Sequence, residues 1–175
     1  MNEVIGYIAI ESGTGTNNGI KYEVRETPNS VTHNWYTIYF TQSFPQPPLF
    51  IAWMQTTDGG DTAGVRYRNL SATSVQVKIE EEQSDDAETS HTTEVIGYFA
   101  FEKSGTLVDS GGNPIGEVGS VTLNHNWTTV NLSRNYTSPV VIAQPLSYSD
   151  SAPAHARIKN VTSSSFQIQV EEWAY

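Results

Sequence analysis

Apolar and polar residues alternate with a period of two along most of this chain, a pattern that predicts β-strands. Ile20, Tyr22 and Val24 alternate with charged residues and predict a strand with one face in solvent. The run Leu49–Met54 is apolar throughout and predicts a buried strand. Further strands are expected at 35–42, 65–70 and 75–82. No helical spacing of apolar residues persists, so we expect an all-β fold with no helix beyond a single turn.

The pattern occurs twice along the chain. Residues 94–102 (Glu-Val-Ile-Gly-Tyr-Phe-Ala-Phe-Glu) repeat residues 3–11 (Glu-Val-Ile-Gly-Tyr-Ile-Ala-Ile-Glu) at a spacing of 91 residues. A repeat of this length indicates two small domains rather than a solenoid. The polar, glycine-rich stretches 12–19 and 103–113 are expected to be connectors.

Composition narrows the class of protein. Of 175 residues, 16% are charged, and the formal net charge is −10. Nucleic-acid binding needs clustered Lys and Arg, so nucleic acid is not an expected partner. The chain has no cysteine, which excludes disulfides and thiolate metal sites. No apolar run approaches membrane-spanning length, so we expect no membrane insertion. The start at Met1 has no signal-peptide core, and we interpret the chain as a piece of a longer secreted precursor.

Two repeated features invite a catalytic interpretation. His33 and His125 both precede Asn-Trp, and a repeated histidine could be a general base. No nucleophile motif accompanies either histidine, so a structural role at a turn is favoured. The pairs Glu80-Glu81 and Glu171-Glu172 could suggest a glycosidase. Adjacent residues of a strand point to opposite faces, however, so the two carboxylates of a pair cannot converge on one bond. We therefore expect no enzymatic activity.

Metal binding and sugar stacking are further alternatives. The acidic residues Asp58, Asp61, Asp85, Asp86 and Glu88 could chelate calcium, but they lack the spacing of a calcium loop, so no metal or other cofactor is expected. Trp173 is replaced by Glu82 in the first copy, which is unusual for a core position. An exposed indole at a strand end can stack on the apolar face of a sugar, whereas the alternative is a tryptophan that covers the end of the sheet.

The second copy resembles the H-type lectin domain. The resemblance rests on Trp127-Thr-Thr-Val130, on Tyr136-x-x-Pro-Val-Val-Ile-Ala143 and on the run from Arg157 to Trp173. The first copy shows the same motifs more weakly, from Trp35 to Glu82. The family forms a six-stranded antiparallel sandwich, binds N-acetylgalactosamine or related sugars and usually assembles as trimers or hexamers. The resemblance thus implies two repeated antiparallel six-stranded β-sandwich units and a possible homo-oligomer.

The resemblance also implies where each unit begins and ends. In the family, the strand like residues 94–102 is the last of the domain. The first unit would then span residues 12–102. The second would span 103–175, and its missing last strand would be supplied by residues 3–11. The N-terminal strand is therefore expected to be exchanged into the second unit. The competing arrangement pairs residues 3–11 with the strands of 20–82.

The ligand site is expected at the end of the fold where the family binds sugar. The sugar-contacting tryptophan of the family corresponds to Trp173. We expect stacking on Trp173 and Tyr148 and hydrogen bonds from Asp150, Ser151 and His155. The family's contacting arginine corresponds to Thr62 in the first copy and to Pro153 in the second, so galactosamine specificity is not implied.

The equivalent end of the first unit carries Asp58, Asp61, Thr62 and Glu82. The expected hairpins place Thr62 opposite Glu82 and Pro153 opposite Trp173. Together these features predict a non-catalytic, lectin-like module of a secreted or surface bacterial protein, extracellular or at the cell surface, with a glycan or polysaccharide as its partner. The alternative is a structural or adhesion spacer without sugar binding.

Overall fold

The structure is a computed structural model that describes residues 8–83 and 88–172. Within these ranges the protein is all-β, with no helix, as the alternating pattern predicts. The strands are β1 (Gly13–Asn17), β2 (Ile20–Glu26), β3 (Tyr36–Tyr39), β4 (Leu49–Met54), β5 (Ala63–Arg68), β6 (Ser74–Glu81), β7 (Ile96–Phe101), β8 (Gly105–Val108), β9 (Pro114–Val118), β10 (Thr128–Asn131), β11 (Leu146–Ser147), β12 (Ala154–Lys159) and β13 (Ser165–Glu172). In the described part of the chain, no helix has the length and apolar character needed to cross a bilayer.

Strand β7 is the centre of the first sheet, whose order is β1-β2-β7-β4. It pairs antiparallel with β2 on one side and with β4 on the other, so that Ala100 lies between Glu23 and Phe50. Both of its edges are paired, and Ile96, Tyr98, Ala100 and Phe101 are buried. That residues 94–102 complete a first unit stays a prediction.

The second sheet of the first unit contains β5, β6 and β3, with β11 attached at its edge. Alternate residues of these strands point toward the first sheet and pack against β4 and β7. Val65, Val77 and Ile79 meet Phe50 and Tyr98 in one buried core. Apart from β1 and β11, the two layers contain six strands. This arrangement is consistent with a β-sandwich.

Part of this arrangement recurs in the second half of the chain. The sheet β10-β13-β12 has the registers of β3-β6-β5: Val130 pairs with Phe166 as Ile38 pairs with Val75. Both tight hairpins have an asparagine in the left-handed conformation, Asn69 at φ 49° and Asn160 at φ 51°. This repetition explains why the Arg-x-x-Asn motif occurs in both copies, since asparagine tolerates that conformation better than most residues.

The stretches 12–19 and 103–113 are not the plain connectors that the sequence predicts. Residues 13–17 form β1, which pairs with β2 around the two-residue turn Asn18-Gly19. Both turn residues have positive φ, 48° and 73°, as a tight hairpin turn requires. The prediction was wrong because polar, glycine-containing residues also form edge strands when a tight turn follows. The stretch 103–113 similarly contains β8, which pairs with β9.

The strand predicted at residues 3–11 is only partly described by the structure. Residues 3–7, which belong to the expected exchanged strand, lie outside the described residues, as does Trp173. Residues 8–11 are described and belong to none of the strands, and Ile8 and Ile10 are exposed. The exchange of residues 3–11 into the second unit therefore stays a prediction.

The alternation of β3 can be tested directly with two adjacent residues. Ile38 is buried in the core, whereas its neighbour Tyr39 is 75% exposed. We expect Ile38→Ala to lower the free energy of unfolding by about 3 kcal/mol, since it leaves a cavity. Tyr39→Ala should cost less than about 1 kcal/mol, since its side chain is already in water. Urea unfolding of both variants measures the difference, and equal losses would contradict the described orientation of β3.

Candidate functional site

The two halves of the chain meet where the segment 146–153 lies against β5. Strand β11 pairs parallel with β5, Leu146 with Arg66 and Ser147 with Tyr67. The N–H of Tyr148 continues the ladder by donating to the carbonyl of Tyr67 at 2.7 Å. The second half thus extends a sheet of the first half. Backbone hydrogen bonds, which are insensitive to side-chain identity, form one part of this junction.

Arg66 is the charged group at the junction. Its side chain is only 4% exposed and forms an ion pair with Glu80, which is 7% exposed. The guanidinium also donates to the carbonyl oxygens of Ala152 at 3.2 Å and Ser147 at 3.4 Å. A buried charge needs such partners, because its desolvation is otherwise uncompensated. Arg66 therefore couples β6 of the first half to the segment 146–153 of the second.

Aromatic rings cover the same junction. Trp35 and Tyr148 meet edge to face with their ring centroids 5.2 Å apart. The Lys78 ammonium lies 4.4 Å from the centroid of the Tyr148 ring, and the Arg68 guanidinium lies 4.1 Å from that of Trp35. Cation–π contacts of this kind are favourable where water is partly excluded. Tyr148 is thus held in place by residues of the first half.

A cavity of about 240 Å³ opens between the two halves at this point. Its lining combines an aromatic ring, hydroxyl and amide groups, an ammonium group and carboxylates. The lining residues are His33, Lys78, Ile79, Glu80, Glu81, Gln83, Thr89, Tyr148, Ser151 and Pro153. Such a lining offers hydrogen-bond donors and acceptors to a small polar ligand.

A buried network of acids and a histidine supports the floor of this cavity. His91 is 2% exposed and contacts two carboxylates, Glu81 from Nδ1 at 2.5 Å and Glu94 from Nε2 at 3.0 Å. The Glu94 carboxylate also accepts from the N–H groups of Asp58 at 2.9 Å and Gly59 at 3.1 Å. The network therefore fixes the loop after β4.

These contacts determine the protonation of Glu94. Burial disfavours its charged form, but hydrogen bonds from the Thr56 hydroxyl, the Gly59 N–H, His91 and the Asp58 N–H outweigh burial and lower its pKa to about 2. A carboxyl group whose pKa is depressed on folding stabilises the protein above its unfolded pKa. That contribution is lost as the pH falls toward the folded pKa.

The structure brings two of the predicted site residues of the second half, Tyr148 and Ser151, into the cavity. Asp150 lies beside them, and its carboxylate accepts the N–H of Ala152 at 3.0 Å and so shapes the loop. His155 lies on β12 and faces Glu171 at 3.2 Å, a contact between neighbouring strands. Trp173 lies outside the described residues, directly after Glu172, whose partner in β12 is Ala154.

The predicted site residues of the first half lie on two loops. Thr62 is opposite Glu82 as expected, since the Glu82 N–H donates to the Thr62 carbonyl at 3.0 Å. The Asp58 carboxylate accepts from Asn29 at 2.7 Å and stabilises the loop after β4. Asp61 lies with Glu81 and Glu88 in an acidic group whose oxygen atoms fall within 4.8 Å of one another. Clusters of exposed acids are common without a metal ion, and Glu81 already accepts from His91.

The residues considered for catalysis have structural partners. His33 Nδ1 lies 3.1 Å from the carbonyl oxygen of His91, as expected for a histidine at a turn. Glu80 pairs with Arg66 and Lys78, whereas Glu81 pairs with His91. The two adjacent carboxylates thus have separate partners.

The sequence did not single out Lys78 or His91 as residues of the cavity region. Lys78 is Gln169 in the second copy, and this difference between the copies was the one available signal. His91 has no such signal, because its role depends on two carboxylates, Glu81 and Glu94, that the fold brings to it. The partners of Arg66 could not be found either, because they are backbone carbonyl groups of the other half.

Comparison with known proteins gives one informative likeness. The chain is 34% identical over 119 residues to halomucin from Haloquadratum walsbyi (strain DSM 16790 / HBSQ001). The match covers 65% of this chain but 1% of halomucin, so the chain corresponds to a small part of that protein. No protein-family model matches the chain, and no solved structure matches it.

The ion pairs of Arg66 and Arg157 are a matched test of the junction. Both arginines face a glutamate at the same place in their hairpins, but Arg157 is 57% exposed and Glu171 39% exposed. We expect Arg66→Ala to lower the free energy of unfolding by roughly 3 kcal/mol, because Glu80 loses its partner in a buried site. Arg157→Ala should cost no more than about 1 kcal/mol. Denaturant unfolding measures the free energy of unfolding of both variants. Similar losses would show that the Arg66–Glu80 ion pair contributes no more than the exposed Arg157–Glu171 pair.

The buried network predicts how stability depends on pH. The folded pKa of Glu94 is about 2, below its ordinary value of 4.5. Its contribution of roughly 3 kcal/mol should thus be complete above pH 4.5 and should disappear as the pH falls toward 2. Glu94→Gln should be less stable at neutral pH and should lose less stability on acidification. Urea titrations at several pH values compare it with Glu26→Gln, an exposed control that should follow the unmodified protein.

Proposed function

We propose that this chain is a non-catalytic carbohydrate-binding module of a secreted or surface protein. The observation that carries the proposal is the cavity between the halves, in which Tyr148 and Ser151 lie beside the Lys78 ammonium and the carboxylates of Glu80 and Glu81. Sugars offer many hydroxyl groups that both donate and accept, and this lining supplies both kinds of partner. No bond-making group is needed for such binding.

The aromatic part of the proposed site comes from two residues. Lys78 already lies 4.4 Å from the centroid of the Tyr148 ring, so this ring contributes its edge and its hydroxyl group more readily than its face. The stacking surface is assigned to Trp173, which directly follows Glu172.

The proposed setting of the module is extracellular. The relative is named halomucin, and a mucin-like surface protein is a setting in which a small domain meets glycans. The net charge of −10 supports a highly hydrated surface protein and does not favour nucleic acid as a partner. Assembly into homo-oligomers, which the H-type lectin resemblance implies, is part of the same proposal.

A second candidate function is a spacer in an adhesive or structural protein. It is favoured by the junction itself, in which β11 extends a sheet of the first half and Arg66 holds the segment behind it. The cavity of about 240 Å³ is also below the usual size of a ligand pocket. A spacer would need the junction for stiffness and would leave the cavity without a ligand.

We propose the same organisation of units that the repeat indicates. The first unit comprises residues 12–102, and the second comprises residues 103–175 with residues 3–11 as its last strand. The buried core shared by β4, β7 and the sheet β5-β6-β3 supports the first assignment. The recurrence of the second sheet as β10-β13-β12 supports the second.

Glycan binding separates the two candidate functions. We expect the unmodified chain to bind a polysaccharide in gel retardation or on a glycan array, and Trp173→Ala to weaken that binding by about two- to tenfold, since stacking on one aromatic ring contributes about 0.5–1.5 kcal/mol. Lys78→Ala should weaken it less. Trp127→Ala is the matched control, because this indole, directly before β10, lies against the Lys159 ammonium and is not among the residues that line the cavity.

Three outcomes would contradict this proposal. Absence of binding to every glycan tested would favour the spacer. Binding that persists unchanged in Trp173→Ala would place the sugar elsewhere on the chain. Loss of binding in both tryptophan variants, with normal unfolding transitions, would likewise remove the assignment to the cavity.

A further inference from the structure

A groove runs along the side of the first unit, between β2 of one sheet and β3 of the other. Strand β3 is the last strand of its sheet and pairs with β6 alone among the described strands, so its outer edge borders the groove. The groove has a volume of about 260 Å³. None of its described lining residues belongs to the cavity between the halves. We call this second concave surface the β2–β3 groove.

Charged groups with free hydrogen-bonding capacity line one wall of the β2–β3 groove. The Arg25 side chain is 43% exposed, and its Nε donates to the Thr41 hydroxyl at 3.2 Å, which holds the guanidinium in place. Glu26, the next residue of β2, is exposed. Among the described residues, neither the terminal nitrogens of Arg25 nor the carboxylate of Glu26 has a hydrogen-bond partner. This wall therefore offers both donors and acceptors to a ligand.

Two tyrosines of β3 line the opposite wall. Tyr39 is 75% exposed, although its neighbour Ile38 is buried in the core. Tyr36 is half-buried and packs against the same core. The hydroxyl groups of both tyrosines have no hydrogen-bond partner in the described part of the chain. Because a strand and not a loop holds the Tyr39 ring, it presents a fixed apolar surface with a polar end.

The second copy keeps the framework of the groove but not its lining. Glu23 accepts the N–H of Thr41 at 2.9 Å and its hydroxyl at 2.7 Å, and Glu117 accepts the same two groups of Ser133. These contacts and the shared register of β3 and β10 align the two copies. The counterparts of Arg25, Glu26, Tyr36 and Tyr39 are, in this order, Gly119, Ser120, Thr128 and Asn131. The framework thus does not require the charged and aromatic side chains of the first copy.

We propose that the β2–β3 groove binds one neutral sugar unit of a glycan. The ring of Tyr39 stacks on the apolar face of the sugar, while Arg25 donates to its hydroxyl groups and Glu26 accepts from them. Glu23 lies 3.8 Å from the Arg25 Nε and balances its charge, so the groove has no excess positive charge for an acidic sugar. This inference rests on the proposed function for the class of ligand, and it adds a second site to the cavity between the halves.

The shape of the groove favours a sugar over a peptide strand. Strand β3 is four residues long, so a peptide added to its outer edge would form only a short ladder. The free donors and acceptors described above belong to side chains, which suit the scattered hydroxyl groups of a sugar. The volume of about 260 Å³ lies below the usual range of about 300–1,000 Å³ for a ligand pocket, which fits a single sugar unit.

Backbone-amide NMR of the full chain tests where a sugar binds. Soluble neutral oligosaccharides of glucose, galactose and mannose are the probes. We expect at least one of them to shift the amide signals of Arg25, Tyr36 and Tyr39 in a saturable manner. Tyr39→Asn gives the first copy the residue of the second and should weaken this binding by about two- to tenfold. The Tyr39 side chain is already in water, so the variant should fold normally. Asn131→Ala, the matched control, should bind as the unmodified chain does.

An acidic probe tests the part assigned to Glu26. An oligosaccharide of galacturonic acid should bind more weakly in the groove than the corresponding oligosaccharide of galactose, because its carboxylates meet that of Glu26. Glu26→Gln should weaken binding of the neutral oligosaccharide and strengthen binding of the acidic one. An unchanged preference in Glu26→Gln would show that this carboxylate does not contact the sugar.

The remaining outcomes separate this inference from the proposed function. Shifts confined to Tyr148 and Ser151 would overturn the groove and leave the cavity between the halves as the glycan site. Shifts confined to the groove would support this inference and remove the assignment to that cavity. Shifts of the groove signals by a Thr-Val repeat peptide, with none from the oligosaccharides, would assign the edge of β3 to a peptide strand and overturn the inference.

Discussion

The arrangement of the two halves depends on the pairing of one buried charge. The Arg66 guanidinium cannot lie between β5 and the segment 146–153 unless carboxylate and carbonyl oxygens surround it, and Glu80, Ala152 and Ser147 supply them. Its counterpart Arg157 forms the equivalent ion pair with Glu171 at a solvent-exposed position. The hairpin of the first copy is thus covered by the segment 146–153, whereas the corresponding arginine of the second copy faces solvent.

This asymmetry follows from duplication combined with docking. Two copies of one sequence would present the same surfaces if they were separate, but β11 of the second pairs with β5 of the first. That contact covers one hairpin and leaves the other exposed. Lys78, which lines the cavity at this junction, is Gln169 in the second copy. The cavity is lined by residues of both halves, so the chain has one such cavity at the junction and not one in each copy.

The sequence predicted the all-β class, the bounds of β4 and the hairpin β5-β6, because period-two alternation is a direct result of strand geometry. It also predicted that residues 94–102 serve the first unit. It misassigned β1, since Gly13–Asn17 has no apolar alternation and pairs because of the turn Asn18-Gly19. Tyr148 and Ser151, two of the predicted site residues, line the cavity. Lys78 and the network of His91 were not predicted, because their partners are distant in sequence and meet only in the folded chain.

The repeat therefore says more about architecture than about the ligand. A strand such as β7, apolar on both faces, has one place where it can be buried, so its sequence specifies its position. A sugar site is built from polar residues that are also ordinary at loops and strand ends, so their pattern alone is ambiguous. The contacts of His91 with Glu81 and Glu94 connect the cavity to the fold. Glu81 lines the cavity, and Glu94 directly precedes the segment that forms β7. The rigidity of the proposed site is thus a consequence of the same strand pairing that defines the unit.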